Sequence, residues 1–135
     1  MTVELPKRFV DEMVAHALEE DPHECCGILA GDQGRAAKLY RMTNAEHSPY
    51  RYSMDRNELF HTYKEIDDRG WDVLAIYHSH THSPAYPSAT DVRLATWQES
   101  YYILVSLMDH AAPVVRAFRI VEGAITEEEL RTVPG

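Results

Sequence analysis

The sequence predicts an α/β (α+β) fold, a mixed β-sheet flanked by helices. Three observations carry this. Short apolar runs bounded by Gly, Pro, Asn and Asp recur along the chain, each of strand length. Between them lie stretches with apolar residues at i, i+3 and i+4, the spacing of a helix with one buried face. The two kinds alternate rather than segregate, which favours a mixed sheet. The 135 residues, 44% apolar, suffice for one core, and no repeat or linker divides them, so residues 1–135 are expected to form a single domain.

The first helix is expected over 6–21, PKRFVDEMVAHALEED. Phe9, Val10, Met13, Val14, Ala17 and Leu18 form its apolar stripe, and Pro6 is acceptable in its first turn. CCGILAG (25–31) reads as a buried strand ended by Gly31, DQGR as a turn, and AAKLYRMTNA (36–45) as the returning strand. A loop over 47–55 leads to a second helix opened by Asp55 and Glu58 as a capping box. That helix carries Leu59, Phe60, Tyr63 and Ile66, and Gly70 sits where a C′ glycine would.

WDVLAIYHSH (71–80) is a strand running from apolar to polar. SATDVRLATWQ (88–98) is a third, short helix, and SYYILVSLM (100–108) another buried strand. VVRAFRIVEG (114–123) alternates as a strand, and AITEEELRTVPG is a short strand or an extended acidic tail.

Bulk properties exclude several classes. The net charge of −9 argues against nucleic-acid binding, which usually leaves a basic patch. No apolar run reaches 18 residues, so no membrane span is expected. MTVELPKRFVDEM lacks the apolar core of a signal peptide, and the default location is cytoplasmic. The two cysteines, Cys25 and Cys26, are adjacent, which excludes a disulfide framework and fits a reducing compartment. Cys26 reads as a small buried residue rather than a nucleophile. No general base is identifiable for Cys25.

The chemistry concentrates in YHSHTHSPAYPSATD, residues 77–91. His78 and His80 lie two apart at the polar end of a strand, so both imidazoles point to one side and can share a metal ion. The third ligand has two candidates. His82 continues the alternation, but Pro84 and Pro87 end the strand near His80. Asp91, at the start of the third helix, can be carried back by the loop. Two histidines and a carboxylate would leave one tetrahedral position for water, the pattern of a catalytic zinc. Ser88 and Asp91 also read as an ordinary helix start, N-cap and first-turn acid. Glu24, at the mouth of the first buried strand, is the candidate base and equally a plain surface glutamate.

Together these residues resemble the JAMM (MPN+) zinc metalloprotease family. The match runs Glu24, then His78-Ser79-His80, seven residues, Ser88, two residues, Asp91, with ECCGILAG similar to the family's segment around its glutamate. It covers about residues 5–125. The resemblance implies an MPN-type, cytidine-deaminase-like fold, with zinc held by His78, His80 and Asp91. It implies Glu24 as general base and Ser88 as hydrogen-bond donor to the oxyanion. His82 lies outside the pattern and is read as a rim residue.

MTNAEHSP, AYPSATDVRLAT and RIVEGAITEE are similar to short actinobacterial members acting on a CysO-type carrier. That likeness implies a substrate: a ubiquitin-like sulfur carrier protein whose C-terminal Gly-Gly tail is joined to cysteine, hydrolysed in cysteine biosynthesis. Such a tail could add as a strand along a sheet edge. SPAYPS and MTNAEHSPYRYS are candidate groove walls, or plain surface loops. The rival readings are an isopeptidase acting on another ubiquitin-like modifier and a non-catalytic MPN scaffold. An amidohydrolase barrel needs roughly 200 residues or more.

Overall fold

The computed structural model describes residues 2–135. The elements are β1 (Thr2–Pro6), α1 (Lys7–Glu20), β2 (Cys26–Asp32), β3 (Arg35–Met42), α2 (Arg56–Asp68), β4 (Asp72–His80), α3 (Ala89–Leu94), β5 (Tyr101–Ser106), β6 (Val114–Val121) and β7 (Ala124–Val133). The seven strands form one mixed sheet in the order β1-β7-β6-β5-β4-β2-β3. β4 is interior, antiparallel to β2 and parallel to β5. The predicted mixed α/β architecture is therefore the observed one.

Period-two alternation divides the strands between two apolar layers. Leu29, Ala75, Tyr77, Ile103 and Val105 pack with Phe9, Met13 and Ala17 of α1. Ile28, Ala30, Ile76 and Tyr102 pack with Ile66 of α2. Burying one such large side chain contributes about 1.5–3 kcal/mol. His78 and His80 continue the alternation of Ile76, on the α2 side. Of the predicted stripes, Leu18 and Phe60 are exposed, and His16 is buried on α1 instead. His16 Nδ1 lies 2.7 Å from the Tyr77 hydroxyl. Tyr77's ring needs Gly27 beside it, because a Cβ there would stand 2.2 Å from Tyr77 Cε1.

Several boundaries depart from expectation. Residues 2–5, given no element from sequence, form β1 together with Pro6, parallel to β7. The acidic end is a full strand of ten residues. β2 runs past Gly31 to Asp32, with an irregular register at Ala30/Gly31, before a turn with Gln33 and Gly34 both at positive φ. Such a turn suits the twist of a tight hairpin. Pro6 stands before α1 as its N-cap rather than inside it.

α3 ends at Leu94 rather than at residue 98, because Ala95 turns extended. Trp97 is then free to stack on Tyr63 at 5.1 Å and to donate its backbone N–H to the Tyr102 hydroxyl at 2.9 Å. At α2 only half of the expected capping box forms. Asp55 accepts the Glu58 N–H at 3.0 Å, but the Glu58 carboxylate instead accepts from the N–H and hydroxyl of Thr43. Among the described residues no helix is long and apolar enough to cross a membrane.

Candidate metal centre

β4 ends at His80, and the chain then bends through 81–83, as the prolines required. His78 and His80 are almost fully buried, with their rings 5.1 Å apart. The loop 81–88 returns to α3 and delivers Asp91 between them. His78 Nε2 lies 3.2 Å from Asp91 Oδ1, and His80 Nε2 lies 2.9 Å from Asp91 Oδ2.

The same carboxylate caps α3: Oδ2 accepts the Ser88 N–H at 2.9 Å, and Ser88 Oγ accepts the Asp91 N–H at 3.1 Å. Ser88 is thus the helix cap that the sequence offered as one reading. Its hydroxyl proton is still available for donation.

The donor set fits a cation. Among the described residues, the ligand atoms of His78, His80 and Asp91 all lie within 4.8 Å of one another. Two donors bound tetrahedrally at zinc distances would stand roughly 3.4 Å apart. His78 Nε2 is close to Asp91, yet neither ring nitrogen of His78 makes a hydrogen bond with a described residue. A buried, unsatisfied imidazole facing a carboxylate is a costly arrangement for a site with no further occupant.

His80 is oriented from behind. Its Nδ1 lies 2.9 Å from the Pro84 carbonyl, which only accepts, so Nδ1 carries the proton and Nε2 faces the site. Tyr52 stacks on His78 at 4.5 Å, 29° from parallel.

The electrostatics agree with this picture. Burial lowers the pKa of His78. Burial acts the same way on His80, but contact with Asp91 and the bond to Pro84 outweigh it and raise its pKa. Burial alone would raise the pKa of Asp91; His78 and His80 instead hold the carboxyl well below its usual range.

Glu24, between α1 and β2, is 3% exposed rather than a surface residue. Burial pushes its carboxyl up to about 8; the charge of His80 opposes that rise and Asp91 adds to it. Its Oε1 has no hydrogen-bond partner among the described residues. Its backbone is fixed at both ends, with the N–H donating to the Ser48 carbonyl at 2.9 Å and the carbonyl accepting from Asn44 Nδ2 at 3.0 Å.

His82 is exposed, lies outside the three-residue group, and places Nδ1 2.8 Å from Thr81 Oγ1. Cys25 and Cys26 are buried and free. Burial pushes the Cys25 thiol up to about 12 and raises Cys26 as well, so neither is a ready thiolate.

A cavity of about 480 Å³ opens beside Asp91, with Tyr52, Leu94 and Trp97 among its walls. Glu46, Arg51, Tyr52 and Ser53 of the segment MTNAEHSPYRYS line it, so part of that candidate groove wall does form a cavity wall. None of the SPAYPS loop before Thr90 does so; it buries Ala85 and holds His80 through Pro84. A larger hollow of about 780 Å³ contains none of the site residues. The sequence did not single out Asn44 or Tyr52. Both lie in a segment marked as a groove wall, but only the folded contacts give them a role.

Residues 6–121 match the family of prokaryotic homologs of the JAB domain. The chain is 45% identical over 127 residues to the "CysO-cysteine peptidase" of Mycobacterium tuberculosis, covering 93% of this chain and 87% of that protein. It is 34% identical over 120 residues to the "Probable TtuB-protein conjugate cleaving protease" of Thermus thermophilus, covering 88% and 76%. The solution structure of protein DSY2949 from Desulfitobacterium hafniense superposes with a TM-score of 0.87 at 35% identity, covering 100% of this chain and 94% of that one. The chain therefore belongs to the JAB (JAMM/MPN) domain family of peptidases, whose members typically depend on a metal.

Proposed function

We propose that the protein is a zinc-dependent JAMM-type hydrolase. Its substrate is the C-terminal amide between the Gly-Gly tail of a ubiquitin-like sulfur carrier protein and cysteine, and the reaction serves cysteine biosynthesis. The observation that carries the reading is the convergence of His78, His80 and Asp91, together with a buried, unpartnered Glu24 oxygen whose carboxyl feels the charges of His80 and Asp91. The relative named for CysO-cysteine supports the substrate.

In this reading His78 Nε2, His80 Nε2 and an Asp91 oxygen would hold the zinc, which would supply Lewis acidity and make water a better nucleophile near neutral pH. Glu24 takes a proton from the attacking water and delivers it to the amine nitrogen as the C–N bond breaks. A carboxyl shifted towards neutrality suits both halves of that transfer. The Ser88 hydroxyl donates to the developing oxyanion while its oxygen still caps α3. Removing such a donor costs about 2.7–4 kcal/mol of transition-state stabilisation. Pro84 keeps His80 in the tautomer that presents Nε2.

The test is incubation with a purified carrier–cysteine adduct, with and without a chelator, following mass. Loss of one cysteine, abolished by the chelator, is expected, with one zinc per chain by elemental analysis. Zinc-free protein of full activity would overturn the reading. The second reading is an isopeptidase on another ubiquitin-like modifier, favoured by the relative named for TtuB conjugates; a carrier–isopeptide substrate separates the two. We further read residues 1–135 as one catalytic domain, supported by the single sheet, and place it in the cytoplasm, supported by its free cysteines.

A further inference from the structure

The cavity beside Asp91 carries two cations in a chain of net charge −9. We propose that Arg56 anchors the free α-carboxylate of the departing amino acid, making the site selective for single-residue C-terminal adducts. The inference rests on the hydrolase reading and adds how the leaving group is recognised.

Thr90 and Asp91 contribute to the cavity wall, and so do Arg51 and Arg56. Arg51 is already committed, with Nε 3.3 Å from Glu46 Oε1. The Arg56 side chain makes no hydrogen bond or ion pair with any described residue; Arg56 is the first residue of α2 and exposed. Its guanidinium is thus free to take an anion that enters the cavity.

A one-residue leaving group brings one. Its carboxylate remains close to the scissile nitrogen, and Asp91 and Arg56 line one cavity. A guanidinium receives a planar carboxylate with two parallel hydrogen bonds. A lysine in an isopeptide continues as backbone in both directions and offers no carboxylate here. Arg56 therefore favours an amino acid over a conjugated protein.

The experiment compares carrier–cysteine with carrier–cysteinamide, which differ only in that charge. The parental enzyme should cleave the acid with a kcat/KM higher on the order of tenfold. Arg56→Ala should bring the ratio near one through loss on the acid, with its zinc content equal to the parent's, and Arg56→Lys should recover part of the ratio. Equal parental rates on acid and amide, or a parental ratio kept in Arg56→Ala, would overturn the inference while leaving the hydrolase reading intact. Metal-loaded parent that cleaves neither adduct overturns both.

Discussion

Asn44 holds Glu24 by its backbone: the Asn44 side-chain amide donates to the Glu24 carbonyl at 3.0 Å. The second amide hydrogen goes to the Arg51 carbonyl at 3.1 Å. Its Oδ1 accepts from the N–H groups of Glu46 and Ser53 at 3.0 and 3.1 Å. One buried side chain thus joins the candidate base to the loop that walls the cavity, with all its hydrogen-bonding capacity used. Asn44→Asp keeps the acceptor and loses both donors. It is expected to lower kcat at least about tenfold at a temperature where circular dichroism shows native structure, beyond a stability loss of about 1–3 kcal/mol. Parental kcat in a folded Asn44→Asp would remove Asn44 from the positioning of Glu24.

Glu24→Gln should retain zinc and lose turnover, by about 10²–10⁴-fold if proton transfer is its task. The substitution keeps size and removes the charge that burial already disfavours, so thermal stability should hold or rise. Paired elemental analysis and initial rates decide the matter. A variant hydrolysing at the parental rate means that the base is elsewhere.

His82→Ala should keep both metal and most activity, because the side chain is exposed and contacts Thr81 rather than the ligand set. Asp91→Ala should lose both. Zinc lost from His82→Ala and kept in Asp91→Ala would exchange their assignments.

His16 gives a pH dependence away from the site. Burial lowers its pKa from the usual 6.5, assisted by Arg41 and opposed by Glu20, Glu19 and Glu12. The unfolded chain therefore takes up the proton at higher pH than the folded one. The stability contributed by neutral His16 is complete above pH 6.5 and is lost as pH falls through its folded pKa. In urea melts, the stability advantage of the parent over His16→Gln should be smaller at acidic pH than in the slightly alkaline range. An advantage unchanged with pH would mean that His16 does not titrate on unfolding.

The parts of the site that were legible in sequence are those set by local rules. Two residues of spacing put His78 and His80 on one side of β4, and the prolines stopped the strand before His82. The choice of Asp91 over His82 and the role given to Glu24 came from the resemblance; spacing alone left both open. β1 escaped because its partner lies far along the chain, with Thr2 beside Glu129, and five residues carry little pattern of their own. The end of α3 escaped because Trp97 leaves the helix for contacts with Tyr63 and Tyr102. Asn44 and Tyr52 are ordinary residues in a polar loop until Glu24 and His78 are brought beside them.

At six residues, α3 is too short to persist by its own hydrogen bonds. The carboxylate that closes its first turn is also the one that faces both histidines, 3.2 Å from His78 Nε2 and 2.9 Å from His80 Nε2. Fraying of this turn and loss of the site's geometry are then a single event, and it needs only local opening rather than unfolding of the sheet. Heat inactivation should run ahead of the global melt, and its half-life should lengthen with anything that binds Asp91 in place. The working lifetime of the enzyme should then follow one turn of helix rather than the seven strands of the sheet.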